Sequence, residues 1–140
     1  MEIEADNLNL IDLLYSKYYK FKKMNEEKCS SLYNISISNS EWSVIYLIIH
    51  GKQPTISEIA QQVNITRQAT HKCIKALSSK GIITVNNIVG SNKKKCLKLT
   101  PLGEQLYLEN KLLKEEIIRD LAKKIGLENI NLLIRLLNKI

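Results

Sequence analysis

The stretch "TISEIAQQVNITRQATHKCIKALSSKGII", residues 55–83, decides the fold. Thr55 with Glu58 three residues later is a capping box, which predicts the start of a short helix. Thr66 is a typical N-cap, which predicts the start of a second helix. The joint between them, "NI", leaves room only for a sharp turn, and its Asn64 is expected in the left-handed conformation that asparagine tolerates. This spacing predicts a helix-turn-helix.

The second helix of the pair has two chemically distinct faces. The helical period predicts an inward stripe of small and apolar side chains, Thr70, Cys73, Ile74 and Leu77. The opposite face and its edges are basic, amide-bearing or small, and consist of Arg67, Gln68, Ala69, His71, Lys72 and Lys75. Such a face suits a helix that enters the major groove of DNA, where the first turns reach the base edges.

Charge is distributed unevenly around this helix. The 140-residue chain has a formal net charge of +7. Residues 59–103, the acid-free window, contain eight lysines and arginines and no aspartate or glutamate. The rest of the chain is close to neutral, so the positive excess lies in one third of the sequence. A field of one sign attracts polyanions, which points to nucleic acid as a partner.

The residues that follow predict a hairpin and then a long helix. "IITV" (82–85) is β-branched, and "KCLKLT" (95–100) alternates polar with apolar residues, so both are typical of strands. Thr100 before Pro101 is a cap followed by a favoured first helical residue. Gly126 predicts a break before a last amphipathic helix. A helix-turn-helix followed by a hairpin and a helix is the order of a winged helix.

Two helices are predicted before the helix-turn-helix. The first is an amphipathic helix over about residues 8–28, ended by "CSSLYNISISN". The second starts at the capping box of Ser38 and Glu41 and ends at Gly51. We therefore predict a single domain, 1–140, that is mainly α with a small β-hairpin.

The stretch 55–83, followed by "LKLTPLGEQL", resembles the MarR family of bacterial winged helix-turn-helix transcription regulators, and the flanking helices fit the family layout. The resemblance implies an obligate homodimer that represses transcription by binding double-stranded DNA at a palindromic operator. It also implies that residues 8–36 and 101–140 are dimerisation helices around a DNA-binding lobe at 38–100.

The family's DNA contacts fall on identifiable positions. In the recognition helix they are Thr66, Arg67, Gln68, Ala69, His71 and Lys72, with Lys75 added from its outward position. In the wing they are Ser91, Asn92, Lys93, Lys94 and Lys95. Family wings usually carry an Asp-x-Arg pattern, but here Ser91 replaces the aspartate and Lys93 the arginine. Lysine fits a narrow minor groove less well than arginine, so we expect the three lysines to bind backbone phosphates.

Aromatic residues gather on the first two helices, at Tyr15, Tyr18, Tyr19, Trp42 and Tyr46. Their spacing is that of a helical stripe, and most such stripes belong to the core. The resemblance implies a second role, because small aromatic or phenolic effectors bind MarR proteins between the dimer helices and the winged lobe. The five residues are therefore pocket candidates.

Three cysteines, an odd number at wide spacing, predict reduced thiols in the cytoplasm. Cys73 and Cys96 are expected to be packed, and Cys29, near the end of the first helix, is the candidate for thiol-based redox sensing. The sequence has no zinc pattern, so no metal or cofactor is expected. It shows no signal peptide and no run long enough to span a membrane.

No catalytic signature competes with DNA binding, since a phosphate loop and a nucleophile motif are both lacking. A winged helix can instead serve as a protein-interaction module or co-regulator, which need not show salt-dependent retention on heparin. RNA binding is less favoured, because the hairpin offers no aromatic stacking platform for single strands.

Overall fold

The computed structural model describes residues 8–88, 90 and 94–140, with the backbone alone for 29–33. In these ranges the elements are α1 (Leu10–Tyr33), α2 (Asn39–His50), α3 (Ile56–Gln62), α4 (Arg67–Ser79), β1 (Ile83–Asn87), β2 (Lys95–Leu99), α5 (Pro101–Ile125) and α6 (Leu127–Leu137). The predicted class, mainly α with a small hairpin, is confirmed. The chain divides into two compact units, 1–106 and 107–140.

The predicted capping boxes are present. The Ser38 hydroxyl accepts from Glu41 N (3.1 Å), and Ser38 N donates back to Glu41 Oε1 (3.3 Å). Thr55 and Glu58 make the same reciprocal pair, at 3.1 and 3.0 Å. Thr66 caps α4 by accepting from the backbone N–H three residues later, at 3.0 Å. Since each cap satisfies backbone donors that the helix itself leaves open, these helices begin where the sequence predicts.

The first helix is longer than predicted. The expected end near residue 28 was wrong, because α1 continues to Tyr33. The "CSSLY" segment contains no glycine or proline, so nothing in it breaks the helical backbone. The stop is supplied by Asn34, the C-cap, which takes the left-handed conformation at φ 53°.

The turn of the helix-turn-helix also differs from the prediction. Left-handed non-glycine residues occur at Asn34 and Gln53 among the described residues, and Asn64 is not one of them. Val63, the C-cap of α3, leaves the helix in an extended conformation (φ −72°, ψ 139°). The chain therefore turns by extension, and a left-handed residue is not required.

The core of the first unit lies where α2, α3, α4 and the hairpin meet. Helix α2 packs against α4 and β2, and α3 packs against α4. The buried apolar residues include Ile37, Trp42, Val44, Ile45, Ile48, Ile59, Val63, Ile74, Leu77, Ile82, Ile83, Leu97 and Leu99. Burying a side chain of this size contributes roughly 1.5–3 kcal/mol, so this apolar cluster fixes the lobe that carries the helix-turn-helix.

The hairpin is antiparallel, with Ile83 opposite Leu99 and Asn87 opposite Lys95. A contact that the sequence did not reveal joins it to the start of α3, where Thr55 forms an isolated antiparallel bridge with Cys96. The adjacent Leu97 N donates to the carbonyl oxygen of the residue before Thr55 at 2.9 Å. The base of the wing is thus held against the entrance of α3.

Hydrogen bonds hold the start of α5 close to Ile82, the residue just before β1. Thr100 N donates to Ile82 O at 3.0 Å, and the Thr100 hydroxyl accepts from Gly103 N at 3.1 Å. A Cβ on Gly103 would lie 2.2 Å from Ile82 O. The "LTPLG" motif therefore requires glycine for close backbone approach.

Gly103→Ala should consequently destabilise the protein, although alanine is the better helix former. Overpacking costs about 1–3 kcal/mol, which outweighs the roughly 0.5–1 kcal/mol that alanine gains over glycine inside a helix. Urea unfolding at one fixed protein concentration measures the change, with Lys111→Ala at an exposed position of α5 as the control. Unfolding of Gly103→Ala at the same or higher urea concentration than wild type would contradict this contact.

The second unit consists of most of α5 together with α6. Leu113, Ile117 and Ile130 are buried. Many other large apolar residues are exposed in the single chain, namely Leu108, Leu112, Ile118, Ile125, Leu127, Leu132, Leu133, Ile134, Leu136, Leu137 and Ile140. This unit exposes more apolar surface than scattered surface residues explain.

Candidate nucleic-acid interface

The helix-turn-helix rests on an apolar contact between α3 and α4. Ile59 from α3 is buried with Ile74 and Leu77 from α4. Thr70 is also fully buried, and its hydroxyl is satisfied by donating to Thr66 O at 2.9 Å. The predicted inward stripe is confirmed, except that Cys73 is only half-buried.

The opposite face of α4 projects into solvent. Its exposed side chains are Arg67, Gln68, His71, Lys72 and Lys75, with Ala69 half-buried beside them and Thr66 exposed at the cap. Within the described part of the chain, no carboxylate forms an ion pair with the three cationic groups of this face. The helix therefore presents positive charge that none of the described ion pairs compensates, together with one amide, between Arg67 and Lys75.

A recess of about 470 Å³ lies next to this face. We call it the wing recess, and it is lined by Thr55, Ile56, Ser57, Glu58, His71, Lys94 and Lys95. It brings a recognition-helix side chain and two wing lysines to one concave surface. It also brings Glu58 there, so the basic face is not free of acids. The sequence identified Glu58 as a cap but gave no sign of this position, which depends on the long-range bridge between Thr55 and Cys96.

The described wing residues are exposed and basic. Lys94, Lys95 and Lys98 all lie at the surface, and Ile88 N donates to Lys94 O at 3.1 Å across the base of the tip. The predicted contacts Ser91, Asn92 and Lys93 lie outside the described residues. The departure from the Asp-x-Arg pattern therefore stays a sequence observation.

The aromatic candidates do not form a core stripe in the single chain. Trp42 is buried, but Tyr15, Tyr18, Tyr19 and Tyr46 are each more than half exposed. The expectation that the stripe is mainly core is thus wrong for the four tyrosines. The rings of Tyr18 and Tyr19 meet edge to face, and the ring centroids of Tyr46 and His50 lie 4.2 Å apart. Neither the wing recess nor a smaller recess of about 190 Å³ beside β2 is lined by these residues.

Two of the three cysteines have described side chains. Cys96 is buried, with Sγ 3.9 Å from Gln53 Oε1, and Cys73 is half-buried on α4. The side chain of the redox candidate Cys29 lies outside the described residues. Burial raises the pKa of the Cys73 thiol above its usual value. The Glu41 carboxylate adds to this rise, while nearby lysine charges oppose it.

Cys73 should therefore be a poor nucleophile. A raised pKa leaves less thiolate at any given pH, and the thiolate is the reactive form. Iodoacetamide at pH 8 should label Cys73 more slowly in the folded protein than in the urea-unfolded chain, as followed by mass spectrometry. Equal rates in the two states would show that the packing of Cys73 is not as described.

One basic residue of the acid-free window does not belong to this surface. Lys80, at the C-terminal end of α4, forms an ion pair with Glu41 of α2 at 2.7 Å. Its charge is therefore compensated inside the protein. The sequence could not reveal this pairing, because the two residues are 39 positions apart.

The described part of the chain offers neither a metal-binding cluster nor a membrane-spanning helix. Among these residues, no group of histidine, cysteine and acidic side chains is arranged to hold a metal ion. None of the described helices combines the length and apolar character needed to cross a membrane.

Comparison with known proteins agrees with this geometry. Residues 45–84 match a family model described as winged helix-turn-helix DNA-binding. An uncharacterized HTH-type transcriptional regulator of Staphylococcus aureus is 28% identical over 105 residues, a match that spans 75% of this chain and 68% of that protein.

Solved structures share this fold over most of the chain. The structure of S. aureus MarR in complex with salicylate and kanamycin has a TM-score of 0.77 at 24% identity and covers 92% of this chain and 85% of that one. Streptococcus pneumoniae FabT in complex with DNA has a TM-score of 0.79 at 18% identity and covers 93% and 91%. Residues 45–84 therefore match a winged helix-turn-helix DNA-binding module, and the chain has the fold of solved MarR structures.

Proposed function

We propose that the chain acts as a homodimer that binds a palindromic operator and represses transcription by occupying it. One observation carries this proposal: the outward face of α4 is exposed, basic and free of pairing carboxylates among the described residues. Arg67 and Gln68 lie on its first turn, and arginine and glutamine are side chains that pair bidentately with guanine and adenine in the major groove. Occupied promoter DNA is closed to polymerase, so repression is the simplest consequence of binding.

Exposed apolar residues support the homodimer. In the first unit α1 exposes Leu10, Ile11 and Leu14, and in the second unit α6 exposes all five of its leucines. Soluble monomers rarely expose contiguous apolar patches beyond a few hundred Å². A second copy of the chain is the occupant we propose for them. A two-fold dimer would also present two recognition helices to two half-sites, as palindromic operators require.

A small effector would release the operator. The exposed tyrosines of α1 and α2 offer aromatic faces with hydroxyl groups, which suit a phenolic or aromatic acid. The similar S. aureus MarR structure was solved with salicylate, so salicylate is the first compound to test. We expect it to lower operator affinity, and Tyr15, Tyr18 and Tyr46 are the positions at which phenylalanine should change its effect.

Binding to duplex DNA tests the proposal against the interaction-module alternative. The protein should bind heparin and a random-sequence duplex of about 30 base pairs, and both should be released by salt, because counterion release drives phosphate binding. A single-stranded DNA of the same length should compete less well. If duplex binding at about 50 mM salt were absent, the chain would act as a protein-interaction module instead.

The wing lysines should contact the phosphate backbone of the DNA and should not read its base sequence. Replacing Lys93, Lys94 and Lys95 together by glutamine should weaken operator and random duplex by similar factors. The slope of log affinity against log salt should flatten by about 0.9 for each phosphate that the variant no longer neutralises. Lys93→Gln alone is the finer test. A selective loss for A·T-flanked operators at unchanged slope would mean that Lys93 reads the minor groove.

A further inference from the structure

The C-terminal end of the recognition helix is held by a polar contact that points away from its DNA-facing side chains. Lys80 is the C-cap of α4, and its ammonium donates to Glu41 Oε2 at 2.7 Å and to Ser36 O at 2.6 Å. The Glu41 side chain is 11% exposed and that of Lys80 31%. A flexible lysine is thus fixed by two directional contacts to the α1–α2 joint.

The same carboxylate serves a second helix. While Oε2 of Glu41 holds Lys80, its Oε1 accepts from Ser38 N and closes the capping box of α2. One residue after Ser38, the Asn39 side-chain amide donates to Glu26 of α1. Polar contacts at this joint therefore connect α1, α2 and the end of α4.

Stability alone does not account for this pair. A buried ion pair contributes little net stability compared with apolar groups of similar size, because desolvation offsets the attraction. The pair instead adds a contact that depends on the relative orientation of the two helices. Helix α4 also packs against α2, and its buried side chains include Ile74 and Leu77, whose apolar contacts are non-directional. A directional contact at one end fixes the angle at which the first turns of α4 are presented.

We propose that the Glu41–Lys80 pair is a positioning element for the recognition helix. It fixes the angle between α4 and the α1–α2 joint, and so it contributes to operator specificity without contacting DNA. Because α1 also belongs to the proposed dimer interface, the pair sets the separation of the two recognition helices. This inference rests on the proposed operator binding and names residues that the DNA-facing surface does not include.

The experiment compares operator and random duplex for Lys80→Met, Lys80→Arg and Glu41→Gln. Methionine keeps the length of the side chain but loses the charge, and glutamine keeps the oxygen that caps α2. Lys80→Met and Glu41→Gln should each lower operator affinity by about tenfold, the effect of losing one well-placed base contact. For Lys80→Met, random-duplex affinity and the salt slope should match those of Lys111→Met, and for Glu41→Gln they should match those of Glu115→Gln, which are the charge-matched controls at exposed positions of α5. Lys80→Arg should restore most of the operator affinity.

Three results would overturn the positioning role. The first is an equal loss on both duplexes with a slope flattened by about 0.9 per subunit, which would make Lys80 a phosphate contact. The second is unchanged operator affinity in Lys80→Met. The double variant adds a check, because two residues that act as a pair should cost together about what each costs alone. Additive losses would also overturn the role.

The same measurements distinguish a failure of the positioning role from misfolding of a variant and from a failure of the proposed operator binding. If Lys80→Met does not fold, Glu41→Gln carries the comparison, since it retains the cap and the apolar contacts. Cys73 reports the pair in solution: removing the Lys80 charge should slow its alkylation, and removing the Glu41 charge should quicken it. If neither rate changes, neither charge lies near Cys73, and the end of α4 does not lie against Glu41 as described. If the wild-type protein binds operator and random duplex equally, operator reading fails and the positioning role fails with it.

Discussion

A chain that carries Leu133→Glu together with Leu137→Glu should be monomeric and should lose operator affinity by roughly 10²–10⁴-fold. Both leucines are exposed in the single chain and lie one helical turn apart on α6, so the protomer should still fold. In a dimer they would place carboxylates in an apolar interface, which is strongly unfavourable. A monomer cannot engage two half-sites at once, and it therefore loses the gain from the second, intramolecular binding step.

Light scattering and operator titration measure this result. Lys111→Gln with Lys114→Gln is the matched control, because it lowers the net charge by the same amount at exposed positions of α5. The control should remain dimeric and keep its operator affinity. If the double leucine variant kept the dimer mass and the wild-type affinity, α6 would not be part of the dimer interface.

Truncating a side chain on the first turn of the recognition helix should cause the second largest loss of operator affinity. Arg67→Ala or Gln68→Ala should each cost about 1–3 kcal/mol at the operator and relax the preference at one position per half-site. The reason is exposure: both side chains project from the first turn of α4, on the face opposite its buried stripe. Random-duplex affinity should change much less for Gln68→Ala, which removes no charge.

Fluorescence anisotropy with operator and scrambled duplexes checks this prediction, with Lys52→Ala, an exposed lysine outside α4, as the control. Should Arg67→Ala and Gln68→Ala weaken both duplexes by the same factor, neither residue reads bases, and the assignment of the groove-facing side of α4 would be wrong.

Local features of the fold followed from the sequence because their causes are local. A capping box needs only Ser38 with Glu41, or Thr55 with Glu58, at a three-residue spacing. The break at Gly126 follows from the positive φ of 88° that glycine accepts. The hairpin follows from a change of hydrophobic period. For the same reason the inward stripe of α4 was predicted almost completely from its helical spacing.

Features that depend on distant residues were missed. Glu41 and Lys80 meet across 39 positions, and the bridge from Thr55 to Cys96 spans a similar separation; no sequence period records such pairs. The prediction that the tyrosines belong to the core was wrong because the spacing of an apolar or aromatic stripe does not show what covers it. The same stripe fits a core in one chain and an interface between two chains. The prediction for Asn64 was wrong because the chain leaves α3 through extended backbone at Val63.

Among the predicted DNA contacts, the structure places Arg67, Gln68, His71, Lys72 and Lys75 on one exposed side of α4. It adds Glu58 to the same region, through the wing recess.

Selection of bound duplexes from a random DNA pool tests operator reading by a dimer most directly. The selected sequences should converge on two inverted half-sites whose centres lie about one helical turn, roughly 10 base pairs, or a multiple of it apart. Selection with Arg67→Ala should converge on the same spacing with one position per half-site relaxed. A pool that stays random after repeated rounds, or one that converges on a single unrepeated site, would contradict a homodimer that reads a palindrome through α4.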